Sequence, residues 1–363
     1  MKRILAIVLC IVMALSVVAC GEKTPDTAEK DYKLGMGVVV SLDSSATGNA
    51  QVDATVATVV TDADGKIVVC RIDAVQNKMA VTDGAVDTAA TFKTKMEKGN
   101  DYNMATYCKN QDNNGDGIVK EWFEQAKAFE AWVVGKTAAE VKAMPTQTLE
   151  NDFGTSGYVI SADEALLSAG CTIQVGDFVD AVVKACNDEQ GMSFKAVEGK
   201  FTLGVAATST AAESTAATAE AEGVVKMYSD FAASVVVDGK IVASLNDAIQ
   251  PQIKINAAGE IVEKTFKATK RELKEGYNMA TYGKDQDNNG DGKVLEWYVQ
   301  SAEFSKFVVG KTADEVAGMK TVAATQGAVG YMISADADLL AAGCTIQIGG
   351  ICAVVAQSVK NAR

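Results

Sequence analysis

Residues 51–72, QVDATVATVVTDADGKIVVCRI, decide the fold: two β-rich runs, Gln51–Val60 and Lys66–Ile72, flank the turn Asp62-Ala63-Asp64-Gly65. Asp-Gly between runs of β-branched residues is the short-range signature of a β-hairpin. The arrangement returns at residues 232–245, AASVVVDGKIVASL, with Asp238-Gly239 at the turn. Val38-Val39-Val40 opens a further β-rich stretch before the first hairpin, followed by a polar loop, Leu42–Asn49.

The duplication extends well beyond the hairpin. YNMATY stands at 102–107 and at 277–282, QDNNGDG at 111–117 and at 286–292, then Glu121-Trp122 and Glu296-Trp297. VVGKT begins at Val133 and Val308, ISAD at Ile160 and Ile333, AGCTIQ at Ala169 and Ala342. The order never changes, so each copy is a domain-sized unit rather than a short solenoid repeat. Trp122, Ala126, Phe129 and Val133 share one face of a helix predicted over 119–134, and Trp297, Ala302, Phe304 and Val308 do so over 294–309. Ala138–Met144 starts a short helix after Thr137, with Glu140 placed for a capping box. Amphipathic stretches at Asp177–Cys186 and Gly350–Val359 close the copies. Hairpin first and helices after predict an α+β fold: two tandem modules, 34–190 and 198–363, each an antiparallel sheet covered by helices on one side. Residues 206–222, rich in Ala, Thr, Ser and Glu, read as an exposed, flexible excursion of the second module.

The start of the chain predicts an address. Lys2 and Arg3 precede an uncharged run, Ile4–Ala19, which ends in Val17-Val18-Ala19-Cys20. A basic start, an apolar stretch and small residues before a cleavage point describe a secretory signal, residues 1–19. The cysteine at that point resembles the bacterial lipobox. The resemblance implies a diacylglyceryl group on Cys20, a tether over 20–33, and a protein anchored on the extracytoplasmic face of the cell membrane. The net charge is −13, and removal of Lys2 and Arg3 with the signal leaves −15. Nucleic-acid binding needs clustered Lys and Arg to displace counterions, so this balance argues against it.

The chain has no histidine. That excludes Ser-His-Asp and Cys-His catalysis and zinc sites that use imidazole; no catalytic residue stands out, and a non-enzymatic binding protein is the reading this favours. Beyond Cys10 and Cys20 lie Cys70, Cys108, Cys171, Cys186, Cys344 and Cys352, and only Cys171 and Cys344 occupy matching places. A disulfide required by the module would recur in both copies, so buried free thiols are expected instead.

The QDNNGDG stretches suggest calcium. Asp285, Asp287, Asn289 and Gly290 with Glu296 twelfth satisfy the spacing of an EF-hand loop, and Asn110, Asp112, Asn114, Gly115 and Glu121 match them. A second register starts at Asp287 and uses Asn289 and Asp291, with Asp112, Asn114 and Asp116 as its counterpart. The same residues are those of tight turns and helix caps, and Glu121 and Glu296 also stand where helix starts are capped.

Two features together resemble the FMN-binding domain family of bacterial lipoproteins and electron-transfer subunits. One is the Asp-Gly-Lys-Ile turn at Asp64–Ile67 and Asp238–Ile241; the other is Ala-Gly-Cys-Thr-Ile before a helix, at Ala169–Ile173 and Ala342–Ile346. The resemblance implies that Thr172 and Thr345 are the positions at which FMN would be attached, with Gly170 and Gly343 offering backbone N–H groups to its phosphate. Ala169 and Ala342 stand where the family has serine, and Cys171 and Cys344 where it has alanine, so the transfer motif is broken in both copies. Three functional expectations follow: a lipid-anchored binding protein for a small ligand or cell-surface partner, an FMN-carrying electron-transfer lipoprotein, and a calcium-stabilised adhesive module.

Overall fold

The computed structural model describes residues 28–107, 112–149, 158–283, 287–327 and 330–363. The signal stretch, Cys20, Cys108, Asn110 and Asp285 lie outside them. The first half runs through β1 (Glu29–Ser41), β2 (Asn49–Thr61) and β3 (Ile67–Ala80) to the short helices α1 (Lys95–Lys98) and α2 (Met104–Tyr107). Then come α3 (Trp122–Val133), α4 (Ala138–Lys142), β4 (Thr146–Leu149), β5 (Tyr158–Ser161), α5 (Glu164–Ser168), α6 (Gly176–Cys186) and β6 (Met192–Val197). The second half opens with β7 (Thr202–Thr210), β8 (Gly223–Val225), β9 (Tyr228–Val237), β10 (Lys240–Ile249), β11 (Gln252–Ile255) and β12 (Ile261–Thr265). Helices α7 (Lys270–Leu273), α8 (Met279–Tyr282), α9 (Trp297–Phe307) and α10 (Ala313–Ala317) follow, then β13 (Thr321–Ala323), β14 (Met332–Ser334), α11 (Ala337–Ala341) and α12 (Gly349–Lys360). The α+β class is as expected. No helix among the described residues is long and apolar enough to cross a membrane.

Both hairpins form in antiparallel register, β2 with β3 and β9 with β10. At the second turn Asp238 and Gly239 both have positive φ, 49° and 77°, the combination a tight two-residue hairpin demands. The main sheets have the orders β3-β2-β1-β6 and β10-β9-β7.

Each sheet is apolar on both faces, and this sets the architecture. Leu34, Met36, Val52 and Val56 point one way and join Leu203, Val205, Phe231, Val235 and Leu245 of the other sheet in one shared core. The residues between them face helices: Ala57, Val59 and Ile72 pack on Trp122, Phe129 and Phe178 of α3 and α6. Ala206, Ala232 and Ile241 pack on Phe304, Val354 and Val355 of α9 and α12. The molecule is therefore four layers, helices–sheet–sheet–helices: helices cover one side of each sheet, as expected, and the other sheet covers the second side. Each sheet needs two covers, because its strands are apolar without alternation.

Small residues let the helices approach. A Cβ at Gly35 would lie 2.0 Å from the carbonyl oxygen of Ala185 on α6, and one at Gly204 would lie 1.8 Å from that of Ser358 on α12. The VVGKT stretches stitch helix to hairpin. Gly135 donates to the Ile67 carbonyl at 2.7 Å and Ile67 to that of Lys136 at 2.9 Å; Gly310, Ile241 and Lys311 repeat both bonds at the same distances. A register shift beside Ile67 and another beside Ile241 frees those backbone groups for this use. Thr137 and Thr312 cap α4 and α10 through complete capping boxes.

Three boundaries differ from expectation. Strand β1 begins at Glu29, inside the stretch expected to be tether, because Glu29–Leu34 pair with β6. Strand β6 itself fills the interval between the two expected modules and extends the first sheet. The expected excursion over 206–222 starts later: Ala206–Thr210 pair with β9, Ala211 and Ser214 are buried, and Thr215 bridges to Val224. Alanines fit there because one face meets α12 and the other the shared core.

Ion pairs on two buried carboxylates are among the polar contacts that join the halves. Arg271 on α7 meets Asp188, in the turn after α6, at 3.0 Å, with both side chains buried. Arg363 meets Glu130 on α3 at 2.7 Å, and Glu130 also accepts the backbone N–H of Ile72 at 2.8 Å.

Candidate functional site

The YNMATY motif lines an open cleft in each half. YNMATY turns sharply at Asn103 and Asn278, both left-handed at φ 60° and 63°, so that the tyrosine before each asparagine points back to the hairpin. The Tyr102 hydroxyl meets Gln76 Oε1 at 3.4 Å, and that of Tyr277 meets Gln250 Oε1 at 3.0 Å. Behind each tyrosine a lysine is held between two rings. Lys95 Nζ is 5.0 Å from the Tyr102 ring centre and 5.4 Å from that of Trp122, and Lys270 is 5.0 and 5.2 Å from Tyr277 and Trp297. Burial holds the Lys95 amine below its usual range, against the pull of Asp53, Asp177 and Asp73.

The first cleft, about 580 Å³, is lined by Gln76, Tyr102, Met104 and Tyr107 together with Lys78 and Lys98. The second, about 780 Å³, is lined by the matching Gln250, Tyr277, Met279 and Tyr282, with Tyr228 and Tyr331 added. Tyr107 and Tyr282 are 74% and 84% exposed at the rims, large aromatic surfaces open to a ligand. Asp230, half-buried at the second cleft, has its carboxyl raised by desolvation against the pull of Lys270. The glutamines and lysines of these clefts escape a sequence reading by named motif. The signal for them lies in the matches Asp73-Ala74-Val75-Gln76 with Asp247-Ala248-Ile249-Gln250, and Thr94-Lys95 with Thr269-Lys270.

The threonines of the flavin resemblance sit elsewhere. Thr172 and Thr345 are buried, and the backbone N–H of each donates to Gln125 or Gln300 at 2.8 and 2.7 Å. Their hydroxyls face the same glutamine oxygens at 3.4 and 3.3 Å. Neither hydroxyl stands free as an attachment point. Gly170 and Gly343 are left-handed helix ends, at φ 83° and 87°, covered by the side chains of Lys120 and Leu295. Here each glycine completes a turn.

The acidic loops are held mostly by their own backbone. Asp112 accepts N–H groups from Asp116 and Gly117 at 3.1 and 2.8 Å, and Asp287 accepts from Gly290, Asp291 and Gly292. Asp116 and Asp291 accept from the residue two places on and from Asn114 and Asn289. The carboxylates of Glu121 and Glu296 are engaged by backbone donors. The two oxygens of Glu121 take the N–H groups of Met104 and Ala105 at 2.8 and 3.2 Å, and Glu296 takes those of Met279 and Ala280. Each thus caps the helix of YNMATY, where a carboxylate also meets the favourable end of the backbone dipoles. No cluster of three or more acidic, Cys or His side chains suited to a metal occurs among the described residues. What the loops retain for a cation is the second register, Asp112, Asn114 and Asp116 or Asp287, Asn289 and Asp291. The Oδ1 atoms of Asn114 and Asn289 are buried without a hydrogen-bond partner in both copies.

Cys70, Cys171, Cys186, Cys344 and Cys352 are free thiols, all but the half-buried Cys186 fully inside. Burial pushes Cys171 and Cys344 up to about 12, so neither is a nucleophile near neutral pH.

Asp73 and Asp247 support the lysine turns from below. Asp73 Oδ1 accepts from Ala74 at 2.7 Å and Met96 at 3.1 Å, and Asp247 does the same for Ala248 and Arg271. Burial outweighs these bonds and pushes Asp73 up to about 7 and Asp247 up to about 6. A folded-state value above the ordinary 3.8 gives stability that is complete below 3.8 and is lost as pH rises towards 7. Asp73→Asn keeps an acceptor and removes the titration. Its stability relative to the wild type, from urea unfolding, is expected to improve between about pH 4 and about pH 8; a difference that stays constant over that range would contradict the assignment.

Comparison with family models, with curated proteins and with solved structures finds no match to this chain.

Proposed function

We propose that this is a lipid-anchored, extracytoplasmic binding protein without catalytic chemistry, which holds a small ligand in the clefts of its two halves. The observation that carries the reading is repetition. A glutamine, a tyrosine, a methionine and a second, exposed tyrosine line a cleft in each half, although the surrounding loops differ. Ligand sites of this size combine aromatic walls with a few oriented polar groups, and Gln76 and Gln250 supply the latter. The chain has no histidine, and no described thiol lines either cleft, so neither holds a Ser-His or Cys-His pair. A flavin held without a covalent bond is one ligand the reading admits, because the second cleft reaches Ile346 and Gln347 of the turn that carries the family resemblance.

Ligand-observed NMR with a fragment library, riboflavin included, tests this. Several aromatic fragments are expected to bind the wild type and to lose contact in Tyr102→Ala or Tyr277→Ala. A library with no fragment sensitive to either change would sink the reading. The anchor is tested separately, since Cys20→Ala should move the protein from the membrane to the soluble fraction.

A further inference from the structure

The two clefts share a scaffold and differ in charge. Lys78 from β3, Lys93 from the segment before α1 and Lys98 from the end of α1 line the first cleft, with Asp101 as the one carboxylate there. None of the three lysines forms an ion pair with another described residue, in a protein whose net charge is −13. Lys98 is half-buried and its ring contact is with Tyr102, 5.8 Å from the centre. Desolvation first, and then the charges of Lys95 and Lys78, hold the Lys98 amine below its usual range. Like charges have thus been gathered without a partner, which opposes folding and calls for another explanation.

The second half supplies an internal control. Matching from Asp73-Ala74 with Asp247-Ala248 puts Gln252 opposite Lys78, and matching from the Thr94 and Thr269 caps puts Leu273 opposite Lys98 and Gly276 opposite Asp101. The same hairpin, helix and tyrosine turn form there without these cations. The fold does not require Lys78 or Lys98.

We propose that the first cleft binds a small aromatic anion, a carboxylate or phosphate monoester, with the charge at Lys78, Lys93 and Lys98 and the ring against Tyr102, Tyr107 and Phe92. Lys78 and Lys93 are exposed and Lys98 is half-buried; ammonium groups gathered at one cleft attract an anion more strongly than isolated surface lysines do. The aromatic walls add the flat apolar contact. The assignment rests on the binding reading above and specifies what one of the two sites prefers.

Titration calorimetry of the whole protein with phenyl phosphate, inorganic phosphate and benzyl alcohol separates the parts. Phenyl phosphate is expected to bind at least tenfold more tightly than either of the others, and to weaken as sodium chloride is raised. Lys78→Gln with Lys98→Leu, which installs the second-half residues, should weaken phenyl phosphate at least tenfold and change benzyl alcohol by much less. Phenyl phosphate and benzyl alcohol binding alike, with the double variant silent, would overturn the charge assignment while leaving the binding reading intact. Inorganic phosphate binding as tightly as phenyl phosphate would overturn the aromatic part. Failure of phenyl phosphate to bind overturns the assignment, and if the fragment library is silent as well, the binding reading falls with it.

Discussion

Replacing Arg271 with methionine, the residue the first half carries at the matching position 96, is expected to destabilise the protein by about 3–5 kcal/mol. Arg271 Nη2 reaches both oxygens of Asp188, at 3.2 and 3.0 Å, and the carbonyl of Gln190 at 2.9 Å. The two side chains are only 7% and 8% exposed. Methionine leaves Asp188 buried beside the shared core without its counter-charge; the remaining N–H bonds from Met36 and Gln190 do not neutralise it. The size of the effect is mostly the cost of that orphaned carboxylate, not the worth of the pair. Adding Asp188→Asn should therefore recover at least about half of the loss, and the double-mutant cycle isolates the coupling. Urea unfolding of the three variants measures it. A single variant within about 1 kcal/mol of the wild type would show that water reaches Asp188.

The second large effect is expected from the helix contacts. Gly204→Val places a branched side chain where even a Cβ would stand 1.8 Å from the Ser358 carbonyl, so α12 must be displaced from β7. Overpacking of this kind costs about 3 kcal/mol, and Gly35→Val should match it on α6. Gly176→Ala is the control. It lies at the first position of α6 with no atom near a new Cβ, and its change is expected to stay within about 1 kcal/mol. Equal losses at 204 and 176 would mean that close approach is not what the strand glycines provide.

The elements with local causes were legible from the sequence. Asp-Gly turns, the apolar face of Trp122, Phe129 and Val133, and the capping box at Thr137 each depend on residues within a few places of one another, and each stands where it was expected. What was not legible depends on distant partners. Glu121 reads as the twelfth residue of a calcium loop, whereas the N–H groups that donate to its oxygens, at Met104 and Ala105, come before that loop begins. Thr172 reads as available, whereas Gln125, which holds it, lies 47 residues earlier on α3. The shared core was readable in outline. The run Val56–Val60 is apolar at four of five places, as a strand buried on both faces should be, but nothing local says that the second cover is the other half of the same chain.

That arrangement bears on how the two clefts came to differ. When two identical subunits cover each other, every substitution arrives twice, and a lysine that suits one pocket is imposed on the other. Two pockets on one continuous polypeptide are free of that constraint. Lys98 and Leu273 stand at one and the same place in the plan and need not agree, so a single folded body can offer two unlike preferences at once.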